Sequence, residues 1–369
     1  ERCWAYIERV AAEARLRWAW APPLAPRIAK PSSQERWLFT RLPEWSEAPP
    51  RAAPRTVTMP EGAVLDRLDE LTGDGAEPRA GQQRFAAAAS AAFAPRTLRD
   101  SPNLMLAEAG TGIGKTLGYL APASLWAEAA GGAVWISTYT KALQRQLGAE
   151  TRRVYPDEAV RRDRVVTRKG RENYLCLLNL EDALQGGFAG RAAVLAQLVA
   201  RWAAYSADGD MVGGDLPGWL PTLFRRNGST ALTDRRGECV YAGCPHYRKC
   251  FIERAARASA EADLVIANHA LVMVNAARGR ETTTRPTRYV FDEGHHLFDA
   301  ADAMFGVALV AAGLFAIHAG LVVEIVGQLA GVGQVGQAAA HEALDRHHGV
   351  DWVLGLGRQG LEADLAAGV

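Results

Sequence analysis

The 369-residue chain is poor in lysine and cysteine and has almost no net charge. Its formal charge of +1 excludes a general basic field, so any contact with a polyanion has to come from local patches. Five lysines stand among 42 basic residues, which makes each lysine informative. The chain opens with Glu1 instead of Met and no signal segment follows, which favours an intracellular protein and part of a longer one.

The few cysteines fall into a pattern. In a reducing compartment, clustered thiols favour a metal or a cluster over a disulfide framework. Cys176, Cys239, Cys244 and Cys250 are separated by 62, 4 and 5 residues, whereas structural zinc sites usually pair cysteines two residues apart. The gaps suit a four-thiolate iron–sulfur cluster better, with zinc or unliganded core cysteines as the alternatives. Cys3 has no partner pattern.

Arginine and proline both become rare at the end of the chain. Residues 297–369 hold two arginines and no proline, and Ala303–Val323 carries no charge over 21 residues. By length and hydropathy this run is a transmembrane candidate, but its acidic flanks give no positive-inside signal. A buried helix is favoured over a membrane span, and a frameshifted tail is a further alternative.

An α/β pattern fills the middle of the chain. From about Pro78 to His296, apolar runs alternate with helical patterns, which predicts a largely parallel sheet. The candidate strands are Asn103–Ala107, Ala133–Ser137, Val165–Thr167, Leu264–Ala267 and Tyr289–Asp292. Because Cys176–Cys250 shows no clear strand, we predict a mostly helical insertion there. The predicted parts are an accessory segment (1–75), a core (76–175 and 251–300), the insertion (176–250) and an atypical tail (301–369).

A glycine-rich loop is the strongest motif. Ala109-Gly110-Thr111-Gly112-Ile113-Gly114-Lys115-Thr116 lies between a predicted strand and a helical pattern that starts at Leu117, the context of a phosphate-binding loop. Its glycines let backbone N–H groups surround phosphate oxygens, and the helix N-terminus adds partial positive charge. We predict that Lys115 reaches the β- and γ-phosphates of ATP and that the Thr116 hydroxyl ligates Mg²⁺.

An acidic pair ends another predicted strand. Asp292 stands at the carboxyl end, where α/β sheets bind ligands, and is predicted to hold Mg²⁺ through water. Glu293 is predicted to orient and deprotonate the attacking water. The alternative is an acidic strand end that caps the next helix. Asp292-Glu293-Gly294-His295 resembles the Asp-Glu-Ala-His (DEAH) box of superfamily 2 helicases, with Gly294 in place of alanine.

Two further segments agree with a helicase. Glu77–Gln82 resembles the adenine-side motif of these enzymes, with Gln82 as the base contact, although alone it also fits a surface turn. Ser137–Leu147 resembles the motif that holds the backbone of single-stranded DNA through hydroxyls and a helix N-terminus. Its candidate contacts are Thr138, Thr140, Lys141 and Gln144, and ordinary helix capping is the alternative.

The cysteine segments carry the family resemblance. Lys169–Cys176 and Cys239–Cys250, followed by Ala267–Leu271, closely resemble the cluster-binding insertion of DinG-type helicases. The chain thus resembles the N-terminal motor half of DinG/XPD-type iron–sulfur helicases from about Glu77 to His296. The resemblance implies a RecA-like domain, a 4Fe–4S cluster on Cys176, Cys239, Cys244 and Cys250, and a 5′→3′ helicase acting on single-stranded or forked DNA in repair. It also implies a cytoplasmic, nucleoid-associated protein.

The second motor domain of that family is not found in this sequence. That domain supplies an arginine that contributes about 10³–10⁵ in rate, and no Gly-Arg-x-x-Arg motif follows His296. We therefore expect ATP and DNA binding with poor turnover and no unwinding. A nucleotide-dependent nucleic-acid-binding module is the alternative function.

A local basic run gives further support for a nucleic-acid partner. Residues 152–171 are rich in arginine, and Tyr155 and Tyr174 lie in or beside them. This pattern predicts a groove that follows phosphates and stacks bases on aromatic rings. The alternative is a solvated helix face.

Overall fold

The computed structural model describes residues 38–73, 75, 77, 79–97, 103–110, 112–223, 230–234, 239–278, 287–305 and 351–356. The strands are β1 Leu104–Glu108, β2 Val134–Thr138, β3 Val165–Thr167, β4 Leu264–Asn268, β5 Arg288–Asp292 and β6 Asp351–Leu356. The α-helices are α1 Leu38–Arg41, α2 Glu61–Thr72, α3 Ala80–Ser90, α4 Lys115–Ala130, α5 Lys141–Val154, α6 Glu158–Arg164, α7 Leu177–Asp182, α8 Arg191–Ala203, α9 Trp219–Leu223, α10 Phe251–Glu261, α11 His269–Arg278 and α12 Leu297–Phe305. Short 3₁₀ turns cover Ala91–Phe93, Arg171–Asn173, Tyr241–Gly243, Tyr247–Lys249 and Gly294–His296, and a π turn covers Ala183–Gly187.

The chain divides into two compact units. Unit 1 takes residues 1–49 and 169–257, and unit 2 takes residues 50–168 and 258–369. The segment 1–75 predicted as one accessory element is therefore divided, because its described residues 38–49 belong to unit 1 and the following ones to unit 2. The second segment of unit 1, residues 169–257, extends seven residues beyond the predicted insertion 176–250 at each end.

Unit 2 is built on a six-stranded parallel sheet with the order β1-β6-β5-β2-β4-β3. In its centre, Val134 of β2 lies opposite Leu264 of β4 and Arg288 of β5. β2 is buried along its whole length and β4 along all but its last residue, which explains their nearly continuous apolar sequences. The five predicted strands are found with ends shifted by at most one residue, so the α/β class and the parallel sheet are confirmed.

The sixth strand comes from the segment that the sequence marked as an atypical tail. β6 lies between β1 and β5 and pairs in parallel with both. We predicted no strand there, because the surrounding composition resembles neither the strands nor the turns of the core. β6 separates the strand that precedes the glycine-rich loop from the strand that carries the acidic pair.

Helices cover both faces of this sheet. One face packs against α2, α3 and α4, with Leu68, Phe85 and Leu120 among the buried side chains. The other face packs against α11 and α12, where Leu271 lies beside Phe291 of β5. Two covered faces are typical of doubly wound α/β folds, in which ligands bind beyond the carboxyl ends of the strands.

Unit 1 is mostly helical and has its own core. Residues from α1, α7, α8 and α10 meet there, among them Phe39, Leu180, Leu195 and Phe251. Within its described residues, pairing of the β type is limited to two isolated antiparallel bridges, Tyr174 with Asp210 and Leu175 with Thr233. This architecture agrees with the helical character predicted for the region between the cysteines.

The apolar run Ala303–Val323 is only partly covered by the structure. α12 includes its first residues and ends at Phe305, and the rest of the run lies outside the described residues, as do Cys3 and Thr111. Within the described part of the chain, the search for a helix long and apolar enough to cross a membrane finds none.

Candidate nucleotide site and cysteine cluster

The glycine-rich loop connects β1 to α4, which begins at Lys115, two residues earlier than predicted. Gly112 and Gly114 have φ angles of +83° and +86°, a region of backbone conformation that glycine adopts freely and other residues rarely adopt. The loop therefore leads into a 16-residue helix through two glycines with positive φ angles. A helix N-terminus reached in this way is suited to binding phosphate through backbone N–H groups.

Helix α3 holds the loop with two side chains. The Gln82 side-chain amide donates a hydrogen bond to the carbonyl of Gly114 at 2.9 Å, and Arg79 donates one to the carbonyl of Gly112 at 3.1 Å. A Cβ at Gly114 would lie 2.2 Å from Gln82 Nε2, so any other residue here would displace this amide. Gln82, predicted as the base contact, is buried against the loop, and contact with a base remains a prediction.

The acidic pair meets the loop. Asp292 ends β5, and Glu293 follows with a φ of +57°, which is uncommon for a residue with a side chain and typical of functional turns. The Lys115 ammonium lies 3.2 Å from Glu293 Oε1, although 178 positions separate the two residues in sequence. The structure therefore brings together the three side chains that the sequence predicted as catalytic.

A tyrosine that the sequence did not single out belongs to this site. Tyr119 donates a hydrogen bond to Asp292 Oδ2 at 3.3 Å and is only 1% exposed. Burial, followed by the charge of Asp292, raises the pKa of Tyr119 well above its usual value. Tyr119 stands four residues after Lys115, and this helical spacing is the signal that could have placed both on one face.

Burial also has the largest effect on the pKa of the Asp292 carboxyl group. It raises this pKa, and the charge of Glu293 raises it further. Lys115 and the Tyr119 hydroxyl favour the ionised form and lower the pKa of Asp292. A cation beside Asp292 would act in the same direction as Lys115, because it stabilises the negative charge.

The predicted Mg²⁺ ligands fit that ion. Thr116 and Asp292 offer oxygen atoms, and Mg²⁺ usually takes one or two protein oxygens together with waters and substrate phosphates. Among the residues that the structure describes, no three His, Cys, Asp or Glu side chains form a cage for a metal ion. The site thus suits an ion that arrives with a nucleotide better than a permanently held one.

A buried histidine links the acidic pair to β2. His269 begins α11, and its Nδ1 lies 2.7 Å from Ser137 Oγ while its Nε2 lies 3.4 Å from the carbonyl oxygen of Glu293. Burial lowers the pKa of His269 to about 4, so the imidazole is neutral at pH 7. A neutral imidazole has one donor and one acceptor, which matches the hydroxyl on one side and the carbonyl on the other. The sequence reading did not assign His269 to the site.

A second link joins the same two regions. Tyr139, which lies two residues after Ser137 in the predicted DNA-binding segment, stacks on His296 with ring centroids 3.8 Å apart. His296 lies three residues after the catalytic candidate Glu293. Because Tyr139 is 44% exposed, a ligand bound at this segment could reach the stack directly.

The four predicted DNA contacts have different environments. Thr138 and Gln144 are buried, so neither side chain can contact a phosphate in this arrangement. Thr140 is exposed, but its hydroxyl accepts a hydrogen bond from the Leu143 N–H at 3.2 Å and caps α5. Lys141 is exposed in the first turn of α5. Of the four predicted contacts, Thr140 and Lys141 are therefore the exposed ones, both at the N-terminus of α5.

In unit 1, backbone N–H groups act on the sulfur of every predicted cluster ligand. The Tyr241 N–H donates a hydrogen bond to Cys239 Sγ at 3.4 Å. At the other three ligands, N–H groups lower the thiol pKa, namely those of Leu178 and Asn179 at Cys176, His246 at Cys244, and Ile252 and Glu253 at Cys250. Each of the last two cysteines directly follows a 3₁₀ turn, Tyr241–Gly243 or Tyr247–Lys249. N–H groups aimed at sulfur stabilise thiolates and are one of the means by which proteins tune iron–sulfur clusters.

The thiols also carry an electrostatic signature. Burial raises the pKa of Cys176 and Cys244, and raises that of Cys250 to about 11. Arg171 donates a hydrogen bond to Cys239 Sγ at 2.8 Å and pairs with Asp234. Free thiols in this setting are neutral, whereas coordination to a metal deprotonates them.

The structure leaves the identity of a metal centre at the thiols as a prediction. Within the described residues, which include all four cysteines, no three His, Cys, Asp or Glu side chains form a group that could hold one metal ion. A structural zinc ion binds four ligands itself, whereas the four thiolates of a cubane cluster bind different iron atoms.

The segment before residue 50 packs on the cysteine loop. Phe39 stacks on His246 with ring centroids 4.4 Å apart, and Lys249 donates to the carbonyl of Phe39. Trp45 donates a hydrogen bond to the carbonyl of Tyr247 at 2.7 Å. His246 is buried, and its Nε2 lies 2.9 Å from Glu181 Oε2. This part of the accessory segment therefore supports the loop that carries three of the cysteines.

The aromatic part of the groove predicted along residues 152–171 is wrong. Tyr155 and Tyr174 are buried and cannot stack bases. Several of the basic residues are already paired within the fold, namely Arg153 with Glu150, Arg164 with Asp263, Lys169 with Asp210 and Arg171 with Asp234. The pairing carboxylates come partly from distant positions, so the linear charge count overestimated the free charge.

Comparison with known proteins finds relatives whose names are those of helicases or of DinG proteins. No family model matches the chain. The ATP-dependent DNA helicase YoaA of Haemophilus influenzae is 32% identical over 248 residues, covering 65% of this chain and 36% of that protein. The ATP-dependent helicase DinG of Mycobacterium tuberculosis is 33% identical over 260 residues, with coverages of 65% and 37%. A Bacillus subtilis protein named 3′-5′ exonuclease DinG is 32% identical over 243 residues, with coverages of 65% and 24%. The chain thus spans about a third of the length of these helicase relatives.

Proposed function

We propose, from the confirmed resemblance of this chain to the DinG-type helicases, that it forms the ATP-binding part of a DNA helicase. The observation that carries the proposal is the 3.2 Å contact between Lys115 and Glu293 beside Asp292. It joins a glycine-rich loop and an acidic strand end at the carboxyl side of one parallel sheet, where α/β folds bind ligands. A RecA-like domain with the β6 strand between the loop strand and the acidic strand is the fold we assign to unit 2.

The proposed hydrolysis depends on positioning and charge. The loop N–H groups and Lys115 hold the β- and γ-phosphates, and Glu293 orients the attacking water and accepts its proton. Thr116, and Asp292 through water, would hold Mg²⁺, which would supply positive charge beside the phosphates. Lys115 and Glu293 pair with each other in this structure. When a phosphate binds, Lys115 pairs with the phosphate instead. Glu293 then becomes available to hydrogen-bond the attacking water.

Single-stranded or forked DNA is the proposed partner, with 5′→3′ movement along one strand. The exposed Lys141 and the N-terminus of α5 supply the phosphate contact. The Tyr139–His296 stack and the Ser137–His269–Glu293 contacts run from this segment to the acidic pair. We propose that they transmit the presence of DNA to the water-activating residue.

A 4Fe–4S cluster on Cys176, Cys239, Cys244 and Cys250 is the proposed cofactor of unit 1. The support for it is the Tyr241 N–H that donates to Cys239, together with the backbone N–H groups that lower the pKa of the other three thiols. Its proposed role is to brace unit 1, because no substrate chemistry needs a redox centre here. Iron and sulfide analysis of anaerobically purified protein should give about four of each per chain. Stoichiometric zinc in a colourless sample would contradict the assignment.

A nucleotide-dependent nucleic-acid-binding module remains the second candidate function. The two candidates are separated by measuring the binding of a fluorescent oligothymidine and the hydrolysis of ATP by the same wild-type chain. We expect DNA binding that changes with Mg–ATP and slow hydrolysis stimulated by DNA, and we expect Glu293→Gln to abolish hydrolysis while retaining both ligands. Nucleotide-dependent DNA binding without any hydrolysis would favour the module, and absence of both bindings would refute the proposal.

A further inference from the structure

The Tyr119 hydroxyl contacts the carboxylate that we assign to Mg²⁺. It donates a hydrogen bond to Asp292 Oδ2 at 3.3 Å, and the tyrosine is 1% exposed. Tyr119 lies in α4, the helix that begins at the glycine-rich loop, so this bond connects the loop helix to the acidic end of β5.

The direction of this bond suits a cation. The tyrosine proton occupies Oδ2 of Asp292 and leaves Oδ1 of the same carboxylate for the ion or its water. The proposed ligand is thus held in place with one oxygen available.

We propose that Tyr119 is a positioning residue for Mg²⁺, which orients the Asp292 carboxylate through a buried hydrogen bond. The inference rests on the proposed function, because it needs a site for Mg–nucleotide. The phenol is 1% exposed, so water does not replace the hydroxyl when it is removed. Partners of metal ligands typically contribute 10–100-fold to metal affinity.

The chain offers a matched control for testing this role. The Tyr155 hydroxyl lies 3.3 Å from Asp263 Oδ2, the same distance as in the Tyr119–Asp292 pair, and belongs to the same unit. Asp263 also pairs with Arg51 and Arg164 and belongs to no predicted ligand site. Tyr155→Phe and Tyr119→Phe therefore remove the same chemical group from similar buried bonds, and only the second bond involves a proposed Mg²⁺ ligand.

The experiment titrates Mg²⁺ into the full chain with a fluorescent ATP analogue, and measures analogue binding in EDTA as well. For Tyr119→Phe we expect an apparent Mg²⁺ dissociation constant about tenfold higher than wild type, with unchanged binding in EDTA. For Tyr155→Phe we expect the wild-type Mg²⁺ dependence. The thermal midpoints of both variants report whether the ring still fills its place in the core.

The outcomes separate this inference from the function on which it rests. A wild-type Mg²⁺ dependence in Tyr119→Phe would overturn the positioning role while leaving the nucleotide site intact. Equal losses in both tyrosine variants, or loss of binding in EDTA by Tyr119→Phe, would show a merely structural role and overturn it too. If the wild-type chain binds no nucleotide at any Mg²⁺ concentration, the proposed function fails and the inference fails with it.

Discussion

Alanine substitutions at two glycines of the loop separate two contributions to the free energy of unfolding. One is the strain of a left-handed backbone conformation, and the other is the collision of a Cβ atom with its neighbours. Gly112 and Gly114 have nearly equal φ angles of +83° and +86°. A Cβ at Gly112 would meet nothing within 4 Å among the described atoms, whereas a Cβ at Gly114 would lie 2.2 Å from Gln82 Nε2. Alanine in the left-handed region costs about 1–2 kcal/mol, and this cost applies at both positions.

The collision adds a second cost at Gly114 alone. A Cβ there forces the Gln82 amide away from the loop, which breaks its 2.9 Å hydrogen bond to the Gly114 carbonyl. The loss of one such bond costs about 0.5–1.5 kcal/mol. We therefore predict that Gly112→Ala destabilises unit 2 by about 1–2 kcal/mol and Gly114→Ala by roughly 2–3 kcal/mol.

Urea unfolding of the two variants and of Gln82→Ala measures these differences, and the double variant Gln82→Ala/Gly114→Ala completes a cycle. Removal of the glutamine side chain should make the Gly114→Ala change no more harmful than Gly112→Ala. Nucleotide affinity should follow the same order, because the displaced loop carries the phosphate-binding N–H groups. Equal effects of the two glycine changes, or no relief in the double variant, would refute the reasoning about the Gln82 contact.

Three further predictions concern other parts of the two units. Cys244→Ser should lose the visible absorption and most of the iron of anaerobically purified protein, and retention of both would remove Cys244 from the ligand set. Tyr139→Ala should reduce the effect of oligothymidine on nucleotide affinity without changing affinity in its absence, while Tyr205→Ala, which changes an exposed tyrosine of unit 1, serves as the control. Because burial lowers the pKa of His269 to about 4, the unfolded chain binds more protons between pH 6.5 and 4. Stability should therefore fall as the pH drops through that window, and His269→Gln should make the fall shallower, with an unchanged slope speaking against a buried neutral imidazole.

The parts of the site that are local in sequence could be predicted, and those made by packing could not. The residues predicted to bind phosphate are consecutive in the loop from Ala109 to Thr116, and the strand before Asp292 is a continuous apolar run. Both were found in the expected places, and the resemblance to DinG-type helicases is confirmed by the relatives. Tyr119 and His269 were missed because a tyrosine in an apolar helix and a histidine after a strand also fit an ordinary core.

The wrong predictions have a common physical origin. A groove was predicted from Tyr155 and the arginines near it because the sequence does not show which carboxylates they contact in the fold. Asp263 lies about 100 positions later and takes two arginines and the Tyr155 hydroxyl. β6 was missed for a similar reason, since a strand of six residues is recognised by its neighbours in the sheet and not by the tail around it. Contacts between distant segments decide which polar and apolar residues remain exposed.

Binding of Mg–ATP to the wild-type chain and to Lys115→Ala, measured by isothermal titration calorimetry, tests the central claim most directly. The account predicts one site per chain in the wild type and a loss of affinity of at least about tenfold in the variant, with the thermal midpoint retained. Absence of binding by the folded wild-type chain, or equal affinity in Lys115→Ala, would contradict the assignment of this loop as the ATP site.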